Sequence, residues 1–159
     1  MIPKIVREFF KNLPHFPDGR INYTNSNKAA VLTCFLKYKD KILLLKRSQK
    51  VGNYKGKWHG IGGYYDELKP LEEIVKKEIK EELGIDLKNI RSFKIAKTYR
   101  FKDKKINKTW FVYPVLIELK NKPKIKLDWE HQKYQWIKPE ELKKFDFVPN
   151  LDKLLKMLL

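Results

Sequence analysis

The chain has 159 residues, of which 42% are hydrophobic and 13% aromatic, so it is expected to fold as one domain around one core and not to be a disordered polymer. No apolar run approaches a membrane span. The start, MIPKIVREFFKNLPHF, is broken by Lys4, Arg7, Glu8 and Lys11, so neither a membrane helix nor a secretory signal is expected, and a cytoplasmic location follows by default. The lone cysteine, Cys34, excludes an intrachain disulfide and a cysteine-rich metal site. The net charge of +17 suits anionic partners.

Residues 3–12 read as a short helix with Pro3 in its first turn. HFPDGRINYTNSN is turn-rich. AAVLTCFLKY and KILLLKRS form a hairpin, Ala29 to Tyr38 and Lys41 to Arg47, with Cys34 a buried small hydrophobe. VGNYKGKWHGIGGYY is a glycine-rich loop. Pro70 to Leu83 is a helix opened by Pro70 and stopped by Gly84. One strand is expected around FKIAKTYRF and another at TWFVYPVLIEL, joined by the turn KDKKINK. Lys133 to Ile137 is a short strand, Pro139 to Lys144 a helical turn, and Leu151 to Leu159 an amphipathic helix. The order says mixed α/β or α+β. Residues 1–28 are read as an N-terminal helix and extended segment, and residues 29–159 as the main domain.

The charge has two readings. Arginines are few (Arg7, Arg20, Arg47, Arg91 and Arg100) and the lysines are scattered, which favours a lysine-rich background over a dedicated nucleic-acid surface. RNA stays the alternative partner.

The helix after the glycine loop carries the chemistry. On a wheel, Leu71, Ile74, Val75, Ile79 and Leu83 make one apolar arc, and Glu78 falls inside it. Glu78, Glu81 and Glu82 are neighbours at i, i+3 and i+4. Crowded carboxylates that lose hydration repel one another unless a cation sits among them. Mg²⁺ takes such ligands and shares the rest of its shell with water and phosphates. The alternative is that these acids pair with lysines at i±4 along a wet face.

Gly62, Gly63, Glu78, Glu81, Glu82 and Gly84, at these spacings, resemble the box G-x5-E-x7-R-E-U-x-E-E-x-G-U of the Nudix hydrolases. KGKWHGIGG, KILLLKRS and EHQKYQWIKPEEL resemble segments flanking that box, so the likeness covers roughly residues 29–145. Two positions depart: Lys69 stands where the box has its first glutamate, and Lys77 where it has arginine. Asp66 or Glu67 is the candidate replacement for the missing acid.

The resemblance implies an α/β fold, a Nudix-type α/β/α sandwich with a mixed sheet. It implies a Mg²⁺-dependent enzyme, with Mn²⁺ as the alternative ion, that cleaves a nucleoside diphosphate linked to another moiety by water attack on phosphorus. Glu81, Glu82 and Glu130 would be catalytic. Gly63, Glu78, Glu81, Glu82 and Glu130 would hold the metal. Arg47, Lys57, Lys77 and Asn150 would bind substrate, a nucleoside triphosphate, ADP-ribose or a dinucleotide. The alternatives are an RNA 5′-end pyrophosphohydrolase and a Nudix-fold module that binds nucleotide or RNA without cleaving it. No membrane partner is expected, and the chain would be a monomer or homodimer. Tyr54, Trp58, Tyr64, Tyr65, Tyr99, Phe101, Trp110, Tyr113 and Phe147 are able to stack a base, but most are expected to be core or sheet surface, with Trp58 and Tyr65 read as packing. His59 and His131 are expected to be partly exposed and merely near the site.

Overall fold

The computed structural model describes residues 1–88 and 90–159. In chain order these form helix α1 (Lys4–Asn12), strands β1 (Lys28–Tyr38), β2 (Lys41–Arg47), β3 (Trp58–His59) and β4 (Ile61–Tyr64), and helix α2 (Leu71–Leu83). Strands β5 (Ile90–Ile95), β6 (Tyr99–Asp103), β7 (Lys108–Leu119) and β8 (His131–Ile137) follow, then a 3₁₀ turn (Pro139–Lys144) and helix α3 (Leu151–Leu158). Among the described residues, no helix is long and apolar enough to cross a membrane.

The sheet is mixed. β1 and β7 run parallel in continuous register from Lys28↔Thr109 to Tyr38↔Leu119. β1 and β2 pair antiparallel only beside their turn, at Lys37↔Ile42 and Tyr38↔Lys41, and then diverge. β1 continues against β4, while β2 is flanked by β3 and β8. Gly60 carries the chain from one half to the other. A Cβ there would lie 2.6 Å from the Cys34 carbonyl oxygen, so the crossing tolerates no side chain.

Period-two alternation makes two cores. Leu43 and Leu45 of β2 join Leu32 and Leu36 of β1 and Val115 and Ile117 of β7 on one face, packed with Leu71, Ile74, Val75, Ile79 and Leu83 of α2. Ile42 and Leu44 join Phe35 and Leu116 on the other face, with Leu151, Leu155 and Leu158 of α3. The result is the expected sandwich of helices about a mixed sheet. α2 begins after Pro70 and ends at Gly84, whose φ of 67° needs the left-handed freedom of glycine.

Residues 1–28 pack on the same body. Val6, Ile21 and Tyr23 are buried in the α2-side core, and the Tyr23 hydroxyl donates to the Tyr65 carbonyl at 2.7 Å. Cys34 is buried, as expected. The single strand expected through FKIAKTYRF is two strands. β5 ends at Ile95↔Val115 and β6 starts at Tyr99↔Val112, both antiparallel to β7. Pro114, which has no N–H to donate to a ladder, lies opposite the break.

Candidate active site

Gly63 of β4 pairs with Leu32, and a Cβ at Gly63 would stand 2.5 Å from the Glu78 carboxyl carbon. Only glycine lets that carboxylate lie against the strand. Gly63→Ala is therefore expected to lower kcat about 100-fold by displacing Glu78, with the melting temperature near wild type. Steady-state kinetics beside a thermal melt checks this.

α2 supplies three acids with graded burial. Glu81 is exposed, Glu78 is half-buried and Glu82 is 1% exposed. Helix geometry explains the last: at about 100° per residue Glu82 falls between Leu71 and Val75, in the middle of the apolar arc. Among the described residues, neither Glu82 carboxylate oxygen has a hydrogen-bond partner. Burial, then the Glu78 and Glu130 charges, push the Glu82 carboxyl well above its ordinary pKa. Burial, then Glu81 and Glu130, push Glu78 up to about 8.

Glu130 reaches this group because the preceding segment is tied to the end of α2. Lys126 N–H donates to the Leu83 carbonyl (2.9 Å) and Asp128 N–H to the Glu82 carbonyl (3.2 Å), while the Glu130 carbonyl accepts from Ser48 N–H (2.7 Å). Burial, then Asp128, raise the Glu130 pKa. The donor set suits a divalent cation. Two orphaned buried oxygens and mutually repelling carboxylates are what a hard ion among them would relieve.

These groups open into a cleft of about 510 Å³. Gly63, Glu78, Glu81, Glu130 and Arg47 line it, with Tyr54, Tyr64, Phe101 and Trp110 on its walls. The Arg47 Nε donates to the Asn53 carbonyl at 3.0 Å, which anchors the guanidinium at the cleft. Burial lowers the Arg47 pKa, and the Glu130 and Glu82 charges oppose that. Trp129, exposed and next to Glu130, also lines the cleft and was missed by the sequence reading. A tryptophan beside an acid in a polar loop was the available signal.

Three of the expected substrate-binding residues do not line the cleft. Lys57 pairs with Asp146 at 2.7 Å. Asn150 precedes α3 with φ 67°, while its neighbours Val148 and Pro149 line the wall. Lys77 pairs with Glu67 at 2.6 Å, and Lys69 with Glu67 at 3.0 Å. Glu67 thus takes up the lysine that stands in place of the box arginine. Asp66 instead faces Arg20 at 3.5 Å. Glu67→Gln is expected to change stability by less than about 1 kcal/mol, since both lysines are largely exposed. It should lower kcat about 10-fold by loosening the loop ahead of α2, as read by kinetics and denaturant melts.

The two histidines correct the expectation made for them. Neither is partly exposed: both are buried, and their Nε2 atoms lie 2.9 Å apart. β3 and β8 flank β2 on opposite sides and carry the two rings together, with His59 opposite Leu45 and His131 opposite Arg47.

The NUDIX domain family model matches residues 26–158. The nucleoside triphosphatase NudI of Escherichia coli O139:H28 is 28% identical over 120 residues, covering 72% of this chain and 85% of that protein. A Caenorhabditis elegans Ap4A hydrolase structure is 26% identical at a TM-score of 0.61, covering 82% of this chain and 93% of that one. The NUDIX domain of Shewanella oneidensis NrtR, solved with ADP ribose, is 15% identical at a TM-score of 0.68, covering 95% and 94%; it shares the fold. The chain belongs to the Nudix family and is a hydrolase acting on phosphoric anhydride bonds.

Proposed function

We propose that the protein is a Mg²⁺-dependent pyrophosphohydrolase that cleaves a nucleoside diphosphate linked to another moiety, with a nucleoside triphosphate as the first candidate substrate. The observation that carries the reading is Glu82, a carboxylate buried in the core with neither oxygen paired among the described residues, beside Glu78 and Glu130 of an acid-lined and aromatic-walled cleft. The likeness to a nucleoside triphosphatase supports the substrate. ADP-ribose and dinucleotides are the other candidates, and the aromatic walls suit the base of any of them.

Glu78, Glu81, Glu82, Glu130 and the Gly63 carbonyl would hold the ion. Bound there, Mg²⁺ would neutralise phosphate charge and lower the pKa of water. Arg47 would pair with a phosphate oxygen and fix the diphosphate along the cleft. Glu81, the exposed acid at the cleft, would accept the proton of the attacking water, with Glu130 the alternative acceptor. Glu67 would hold Lys77 and steady the loop that leads into α2.

The test is incubation of the protein with Mg²⁺ and a panel of nucleoside triphosphates, ADP-ribose, dinucleotides and triphosphorylated RNA. Turnover of one nucleotide class that is lost in Glu82→Gln is the expected result. Turnover of RNA alone, falling steeply with salt, would move the assignment to RNA 5′ ends. No turnover at any Mg²⁺ concentration would overturn the reading in favour of a binding module.

A further inference from the structure

The hydrogen-bond chain beneath the cleft is incomplete at one point. His131 Nδ1 lies 3.1 Å from Asp128 Oδ1, and His131 Nε2 lies 2.9 Å from His59 Nε2. Neutral imidazoles can satisfy both contacts: Asp128 accepts the His131 Nδ1–H, and the free His131 Nε2 accepts the His59 Nε2–H. That arrangement gives Glu82 nothing. Its Oε1 is 3.5 Å from His131 Nε2, at the outer limit of a hydrogen bond, and both its oxygens stay orphaned with the side chain 1% exposed.

We propose that His131, Glu82 and Glu130, joined by His59 through its Nε2 contact with His131, form a mixed nitrogen–oxygen site for a divalent ion of the Co²⁺ or Zn²⁺ type. The hydrolase reading invokes only oxygen ligands, so this inference deepens it. It rests on that reading for a role in turnover and not for the binding itself.

Four features carry the proposal. Glu82, Glu130 and His131 offer donor atoms that all lie within 4.8 Å of one another, and His59 Nε2 stands 2.9 Å from His131 Nε2. Two nitrogens each about 2.1 Å from one ion stand about 3.0–3.4 Å apart at right to tetrahedral angles, close to the spacing of the two Nε2 atoms. Asp128 on His131 Nδ1 is the carboxylate that fixes the tautomer and ring of a metal-bound histidine, leaving Nε2 as the ligand atom. His59 and Glu130 line the cleft, which gives an ion a way in. Imidazole donors favour Co²⁺ and Zn²⁺ over Mg²⁺, which seeks oxygen. The rings are held in place by β3 and β8 on either side of β2, so the site is built into the sheet and does not depend on a loop closing.

The experiment titrates the metal-free full chain with Co²⁺, Zn²⁺ and Mg²⁺ separately. Calorimetry gives the affinities, and visible absorption reports the Co²⁺ ligand field. Wild type should bind Co²⁺ with the intense bands of a nitrogen-containing, low-coordinate site. His131→Gln should weaken Zn²⁺ and Co²⁺ by about 100-fold or more, and Asp128→Asn by about 10-fold, with Mg²⁺ affinity within about 3-fold of wild type. His59→Gln carries the same test should His131→Gln fail to fold. Equal Zn²⁺ affinity in wild type and the folded histidine variants would overturn the proposal, and so would a weak octahedral all-oxygen Co²⁺ spectrum. Because binding is read without substrate, absent turnover would sink the hydrolase reading and leave this one standing. Unaltered Zn²⁺ binding would do the reverse.

Discussion

Glu82→Gln is expected to lower kcat about 1,000-fold with Mg²⁺ while making the metal-free protein more stable at pH 8. The two effects have one cause. Glu82 is buried among Leu71, Val75 and Ile79 with no partner for either oxygen among the described residues, so in the absence of an ion the fold must either bury its charge or hold a proton on it at pH 8, and both cost free energy. Glutamine keeps the shape and removes the charge. Relief of an unpaired buried charge should give roughly 1–2 kcal/mol, which is a rise of about 3–6 °C in melting temperature for a chain of this size. The catalytic loss follows from removing a ligand from an ion that stabilises charge in the transition state, an effect worth several kcal/mol. Wild type should also gain melting temperature on adding Mg²⁺, and Glu82→Gln should not. A variant that is both destabilised and inactive would show instead that Glu82 serves packing alone.

The frame of this fold is readable from local pattern. KILLLKR alternates so cleanly that Ile42 and Leu44 go to one core and Leu43 and Leu45 to the other. Pro70 and Gly84 bracket α2 because one lacks an N–H the helix start does not need and the other tolerates a positive φ. The acids of α2 were legible as a cluster, and the burial of Glu82 was available on the same wheel that singled out Glu78. What failed to show was long-range. His59 and His131 are 72 residues apart in sequence, and they meet only because β2 has β3 on one side and β8 on the other. No local period carries that. The same holds for the partners of Lys57 and Lys77. A lysine beside a phosphate motif reads as a phosphate ligand until the fold sets Asp146 or Glu67 against it. The break between β5 and β6 depends on Pro114 in a strand that is distant in sequence.

Removing the metal should leave part of the stability falling as pH rises, the opposite of the usual carboxylate trend. Glu78 and Glu82 both have folded pKa values above their unfolded ones, Glu78 at about 8 and Glu82 well raised, chiefly through burial. Between the unfolded value near 4.5 and the folded value, the native state therefore holds protons that the unfolded chain has released. The slope of unfolding free energy with pH is then negative. These two groups leave stability intact below about pH 4.5 and withdraw it as pH rises toward 8 and beyond, by an amount on the order of 5 kcal/mol at most for Glu78. Other carboxylates act in the opposite sense: Glu67, held by Lys77 and then Lys69 below its ordinary pKa, loses its contribution as pH falls. The two trends separate by difference. Wild type minus a Glu78→Gln/Glu82→Gln double variant should show melting temperature falling from pH 5 to pH 9 without metal. Saturating Mg²⁺ should flatten that difference, because an ion among the carboxylates favours their charged forms, and its affinity should rise over the same pH range. A difference curve that is level with pH in the metal-free state would mean that water or rearrangement solvates these carboxylates. The acid cluster would then not be the strained, cation-demanding group that its burial describes.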